Sequence, residues 1–141
     1  MKMPNRKSET KKFTPGSISP LTLSPLGHTW ILDLDGTIVK HNGYKTDGHD
    51  TFLDGAEDFL RNIPDGDMII FVTSRDAELK NMTESFLSAH AIRYDYVIYN
   101  APYGERILLN DKKPSGLITA VAVSTDRDIF NEIRIEVDKS L

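Results

Sequence analysis

The run Trp30-Ile31-Leu32-Asp33-Leu34-Asp35-Gly36-Thr37 most constrains what this chain can become. Trp, Ile and Leu in succession suit a strand covered on both faces of a sheet. Two carboxylates follow, one residue apart. Ionised groups so close to buried strand are costly unless they are hydrogen-bonded, paired or bound to a cation. The strand must therefore leave its sheet at Asp33 and Asp35, and these groups must meet donors or a positive charge there.

The pattern repeats downstream. Met68-Ile69-Ile70-Phe71-Val72 is a second unbroken apolar run, ending in Thr73-Ser74-Arg75-Asp76. Residues 94–99 read as a third strand, Ile107-Leu108-Leu109 as a fourth running into Asn110-Asp111, and 117–123 as a fifth, with β-branched content. Phe52, Leu53, Ala56, Phe59, Leu60 and Ile63 recur at helical spacing; Thr51 or Asp54 can cap that helix, and Pro64-Asp65-Gly66 ends it. Leu79, Met82, Phe86 and Ala89 mark one face of a second helix over 76–90. Ile129, Phe130, Ile133 and Val137 suit a last helix to about 134, although Ile133, Ile135 and Val137 also alternate as a strand would. Strands alternating with helices predict an α/β fold, a Rossmann-like three-layer sandwich with a mainly parallel sheet of about five strands. The polar clusters follow strands one, two and four, at the carboxyl ends where open parallel sheets place their ligand sites.

The 141 residues fit one domain, expected over 28–141. Residues 1–27 carry Lys2, Arg6, Lys7, Lys11 and Lys12 and then a Pro/Ser/Thr-rich stretch without apolar periodicity, so a disordered tail is expected. A net charge of −4 gives no drive toward nucleic acid or an anionic membrane. No apolar run is long enough to span a bilayer, and a cytoplasmic protein is expected. With no cysteine, disulfides, thiolate zinc sites and cysteine nucleophiles are excluded. The four histidines lack metal-ligand spacing.

What remains is oxygen chemistry. One of the paired carboxylates can attack an electrophile while the other trades protons with leaving group and water. A hard divalent cation such as Mg²⁺ would join the two anions, and Asp111 can supply a further carboxylate. Gly36 permits a tight backbone exit, and Thr37 can hydrogen-bond its neighbours. Thr73, Ser74 and Arg75, with the amides where strand becomes helix, offer a seat for phosphate oxygens. Arg106 and the pair Lys112 and Lys113 are the candidate cations. Together these groups describe phosphoryl transfer to an aspartate.

Asp33-Leu34-Asp35-Gly36-Thr37 resembles the DxDGT signature of the haloacid dehalogenase (HAD) superfamily of phosphohydrolases. Phe71-Val72-Thr73-Ser74 is similar to that family's second motif, and residues 107–111 to its fourth, a strand ending in an acidic metal ligand. The resemblance covers roughly 29–125. It implies Asp33 as nucleophile, Asp35 as general acid and then base, and Thr73 as a hydrogen-bond donor to the transferring phosphoryl group. Mg²⁺ would be held by Asp33, the Asp35 carbonyl and Asp111. The chain departs from the pattern in two places: only Arg106 precedes the fourth strand as the third motif requires, with Lys113 its rival, and Asn110 stands where a paired acid is common.

The loop from Thr37 to Phe52 is too short for a cap domain, so an open, capless site is expected. Capless relatives act on macromolecules, or borrow a lid by forming homo-oligomers, as sugar-acid phosphate phosphatases do. Residues 107–114 also resemble small domains of bacterial surface-polysaccharide gene sets, which points to a sugar phosphate as the small substrate. Competing readings are a phosphatase of a phosphorylated protein or nucleic-acid end, a catalytically silent binding or regulatory domain, and a receiver-like module phosphorylated on Asp33. A receiver needs no acid two residues after its acceptor, and Asp35 argues against it.

Overall fold

A computed structural model describes residues 21–130 and 133–141. Strands β1 (Leu21–Leu23) and β2 (Thr29–Leu32) precede a short helix α1 (Gly43–Thr46) and the helix α2 (Ala56–Asn62). Strand β3 (Met68–Val72) leads through a 3₁₀ turn, Ala77–Leu79, into helix α3 (Lys80–Ala89). Strands β4 (Tyr96–Ile98) and β5 (Ile135–Val137) complete the elements. The fold is mixed α/β and its strand pairs are parallel: β2-β3-β4 form one sheet, β1-β5 a second.

Register explains the core. Trp30 lies opposite Ile69, Leu32 opposite Phe71, and Phe71 opposite Val97, so these side chains share one face. That face packs with Leu60 of α2 and Leu87 of α3, and with Leu34, Ile38 and Val39 from the chain that follows β2. Trp30 meets Phe59 edge to face, and Phe59 in turn meets Phe130. The opposite face, with Ile31, Met68, Tyr96 and Ile98, is exposed.

Several sequence expectations are corrected here. The larger sheet has three strands and the smaller two, not one sheet of about five. Residues 107–111 and 117–123 form no strand; Ile107 is 83% and Leu109 90% exposed. Apolar and β-branched content makes a segment suited to a sheet, but a strand exists only where a neighbouring edge accepts its backbone. Without those segments, no second layer covers the outer sheet face among the described residues. Residues 129–130 and 133–134 form no helix, and the chain continues into strand β5 at Ile135–Val137, where Leu21–Leu23 offers a parallel partner; residues 131–132 of the expected helix lie outside the described residues. That same pairing places 21–23, expected in the tail, within a sheet, while residues 1–20 of the tail lie outside the described residues.

Helix starts also differ. Gly55, at φ 84, precedes α2, and neither Thr51 nor Asp54 caps it. A left-handed backbone turns the chain into the helix where a side-chain cap was expected. Asp76 does cap, but it caps the 3₁₀ turn, accepting from the Glu78 amide at 2.8 Å. No helix among the described residues is long and apolar enough to cross a membrane.

The opening of the larger sheet is held by Asp67. The buried Asp67 carboxylate accepts from the His28 amide and from Trp30 Nε1, each at 3.0 Å, with His28 Nδ1 at 3.6 Å. These contacts align the start of β2 with that of β3. Burial pushes the Asp67 carboxyl upward, but the Trp30 and His28 hydrogen bonds outweigh it and hold it below its ordinary 3.8. Its contribution to stability is therefore complete above the unfolded-state value and is lost as pH falls through the lower folded one. Asp67→Asn is expected to cost about 1–3 kcal/mol at neutral pH. In thermal melts from pH 7 to 2, the gap between wild type and variant should shrink below pH ~4.

Candidate active site

The site begins where β2 releases the chain. The amides of Thr37, Ile38 and Val39 donate to the Leu34 carbonyl at 3.1, 2.9 and 3.1 Å, and the Gly36 amide donates to the Val39 carbonyl at 2.7 Å. Leu34, Ile38 and Val39 anchor this loop in the core while Asp33 and Asp35 project from it. Gly36 adopts φ +80, and a Cβ there would lie 3.2 Å from Arg127 Cγ. The left-handed backbone sign is what calls for glycine at that position.

Asp33 is half-buried, and its Oδ2 accepts from the Thr37 hydroxyl at 3.2 Å. Burial pushes the Asp33 carboxyl above its ordinary value, and the charge of Asp35 pushes the same way. The Leu34 amide, the Thr37 hydroxyl and the Arg106 guanidinium pull against that rise. Arg106 is thus the cation that Asp33 feels. Its Nη2 donates to Ser74 Oγ at 3.3 Å, while Nη1 holds the carbonyls of Pro102 and Gly104. Ser74 and Arg106, drawn from separate segments, are thereby joined.

Thr73 is fully buried at the end of β3; its hydroxyl accepts from the Arg75 amide at 3.1 Å. Arg75 overturns its expected part as a phosphate seat. It is 5% exposed, and its guanidinium donates to Asp35 through Nε at 2.9 Å and Nη2 at 2.8 Å. Nη1 and Nη2 donate to Asp50 at 3.0 and 2.7 Å, and Nη1 also donates to the Thr83 hydroxyl at 2.9 Å. A guanidinium has five N–H donors, and here they make five bonds, leaving none for an incoming phosphate. Burial disfavours the charge, but the two carboxylates more than reverse this and hold Arg75 firmly protonated. The Tyr44 ring stacks on the guanidinium with its centroid 4.5 Å from the Arg75 Cζ.

The remaining expected residues are dispersed. Asp111 lies in an exposed irregular segment, its carbonyl accepting from the Thr119 hydroxyl. Lys112 and Lys113 are exposed, and the Lys113 amide closes a turn onto Leu117. Among the described residues, no three His, Asp or Glu side chains gather into a set able to hold a metal ion. Both oxygens of Asp35 already accept from Arg75. With Asp111 outside any such group, the implied Mg²⁺ set of Asp33, the Asp35 carbonyl and Asp111 is not gathered in the chain as folded.

Sequence reasoning missed Asp50, Tyr44, Thr83 and Asp128. Asp50 and Tyr44 sit in a stretch whose polar composition signals only a loop, and Asp50 meets its partner 25 residues later. Asp128 donates its amide to the Gly36 carbonyl and accepts from the His41 amide, each at 2.8 Å, bracing the carboxylate loop from the far end of the chain. No local signal marks either contact.

No family model matches this chain, and no curated protein does. A solved structure titled "Structure of Pnkp1/Rnl/Hen1 complex" is similar at 26% identity, covering 59% of this chain and 31% of that chain, with a TM-score of 0.46. The chain thus spans less than a third of the length of that neighbour. At this TM-score the likeness carries nothing about fold or function.

Removing the guanidinium strands the buried Asp50 carboxylate and the half-buried Asp35 carboxylate. Arg75→Ala is expected to lower unfolding free energy by about 3–5 kcal/mol, measured by urea titration. Arg75→Lys should recover only part of it, because an ammonium cannot pair two carboxylates bidentately.

Proposed function

We propose that this chain is a phosphomonoester hydrolase of the HAD type that works through an aspartyl-phosphate on Asp33. Its substrate in this reading is a small phosphorylated metabolite such as a sugar phosphate. One observation carries the reading: a half-buried carboxylate, Asp33, follows the carboxyl end of a parallel strand, with the Thr37 hydroxyl on one oxygen and the charge of the Arg106 guanidinium reaching it. The resemblance of Asp33-Leu34-Asp35-Gly36-Thr37 to the family signature supports it independently.

In the first step an Asp33 oxygen bonds to phosphorus as the ester P–O bond breaks, and the departing alkoxide takes a proton. Water then attacks the aspartyl-phosphate, the Asp33 O–P bond breaks, and inorganic phosphate and free Asp33 result. The net reaction consumes one ester and one water and yields one alcohol and one phosphate. Arg106 offsets charge on the phosphoryl oxygens and Ser74 donates to them. Asp35 is the proton carrier by resemblance, and Arg75 sets its orientation. Mg²⁺ enters by resemblance alone: the folded chain offers it Asp33 without a gathered second carboxylate, and no step is routed through it.

The Arg75 clamp on Asp35 favours one second reading, a phosphate-binding domain without turnover. Phosphate release from p-nitrophenyl phosphate, assayed with and without added Mg²⁺, separates the two. Asp33→Asn is expected to lower the rate by about a thousandfold or more. A rate unchanged by that substitution would sink the nucleophile assignment.

Asp33 must be ionised to attack, and its carboxyl is raised above 3.8. The acid limb of kcat/KM should accordingly fall above that value. Thr37→Val removes a hydrogen bond that lowers the Asp33 carboxyl, so the limb should move further toward neutral pH.

A further inference from the structure

The outer face of the larger sheet is apolar on all three strands. Ile31 lies opposite Ile70, Ile70 opposite Tyr96, and Val72 opposite Ile98, so these side chains share the face turned away from α2 and α3. Met68 extends it, opposite Thr29. No Asp, Glu, Lys, Arg or His stands among these strand positions, and Ile31, Met68, Tyr96 and Ile98 are exposed. Parallel sheets are ordinarily covered on both faces, and this one is covered on one. An uncharged apolar patch of this kind marks a surface that something else covers.

The same chain carries an element suited to that surface and leaves it in water. Ile107, Leu109, Ile118, Val121 and Val123 are exposed, and no residue of 107–123 is buried. The segment is nonetheless built. Asn110 Nδ2 donates to the Thr119 hydroxyl at 2.7 Å, the Thr119 hydroxyl donates to the Asp111 carbonyl, and the Lys113 amide donates to the Leu117 carbonyl at 3.0 Å. These bonds make an arm of two flanks joined by a turn. Its charges, Asp111, Lys112 and Lys113, all lie in the turn, while 107–109 and 117–123 carry none. Uncharged flanks can lie on an uncharged face while the charged turn stays in water.

Area decides how the two surfaces are used. With strands about 4.8 Å apart and about 3.3 Å per residue, the sheet face measures roughly 200 Å² in plan. A stable interface takes about 800 Å² from each partner, so two such faces pressed together fall short. An almost wholly exposed segment of the arm's length carries roughly 2,500 Å² at the value for an extended chain. Burying about a third of that meets the requirement.

We propose that the 107–123 arm of a second copy of this chain covers the outer face of the β2-β3-β4 sheet, each copy covering the other about a two-fold axis. A face and an arm that do not meet within one chain are complementary between two, and the exchange closes at a dimer. The contact lies on the flank of the sheet and not over the carboxyl ends of its strands. It therefore supplies no lid, and it stands independently of the reaction assigned to Asp33.

Sedimentation velocity on the full chain, between about 1 and 100 μM, is expected to show a reversible dimer. Ile98→Lys alters the face and Leu109→Glu the arm; both side chains are exposed, so both variants should keep the wild-type circular dichroism. Each is expected to raise the dissociation constant at least about tenfold. Mixed in equal amounts, the two variants should associate at least about tenfold more tightly than either does alone, because one intact arm then meets one intact face. A monomer throughout the concentration range would overturn the proposal, as it would if the arm covered its own sheet. A dimer weakened by only one of the substitutions, or by neither, would overturn the exchange, and so would a mixture no tighter than its components.

Discussion

The site depends on one buried guanidinium. Arg75 ties the loop after β2, through Asp35, to the loop after α1, through Asp50, and to α3, through Thr83. The two loops already meet through the Lys40 amide on the Thr51 carbonyl and the Leu53 amide on the Ile38 carbonyl, and Arg75 ties α3 to both. A buried cation with five satisfied donors and two carboxylate partners tolerates its desolvation only because the geometry is complete. Loss of any one partner leaves a charged group without compensation.

This arrangement separates two carboxylates that stand one residue apart. Asp35 is committed to Arg75 through both oxygens. Asp33 has the Thr37 hydroxyl on one oxygen and the more distant charge of Arg106, and burial raises its carboxyl. Two side chains of identical chemistry thus meet different surroundings, and different roles in one reaction are open to them.

Much of this was legible in the chain. The apolar runs at Met68–Val72 and Thr29–Leu32 became paired parallel strands, because β-branched and aromatic residues in unbroken sequence suit a sheet interior. Phe59, Leu60 and Phe86 took helical positions in or against the core as their spacing implied, while Leu87, off the expected face of the second helix, is buried and Ala89 is exposed. Residues 107–123 did not become strands despite equal apolarity, since pairing is a property of two edges and not of one segment. Arg75 was misread for a related reason: next to Thr73 and Ser74 it looks like part of a phosphate seat, while its partners lie 40 and 25 residues earlier in the chain.

By itself the sequence determined which chemistry was available: oxygen nucleophiles without thiols, carboxylates at the exit of an apolar strand, and a glycine where the backbone must reverse. These follow from composition and from neighbours along the chain, whose spacing is set by covalent geometry. Only the tertiary structure decided which groups meet. It gave Arg75 to Asp35 and Asp50, set Arg106 on Ser74, and left Asp111 in an exposed irregular segment. Long-range pairing of charges is settled by burial and by the packing of whole elements, and no local pattern encodes either.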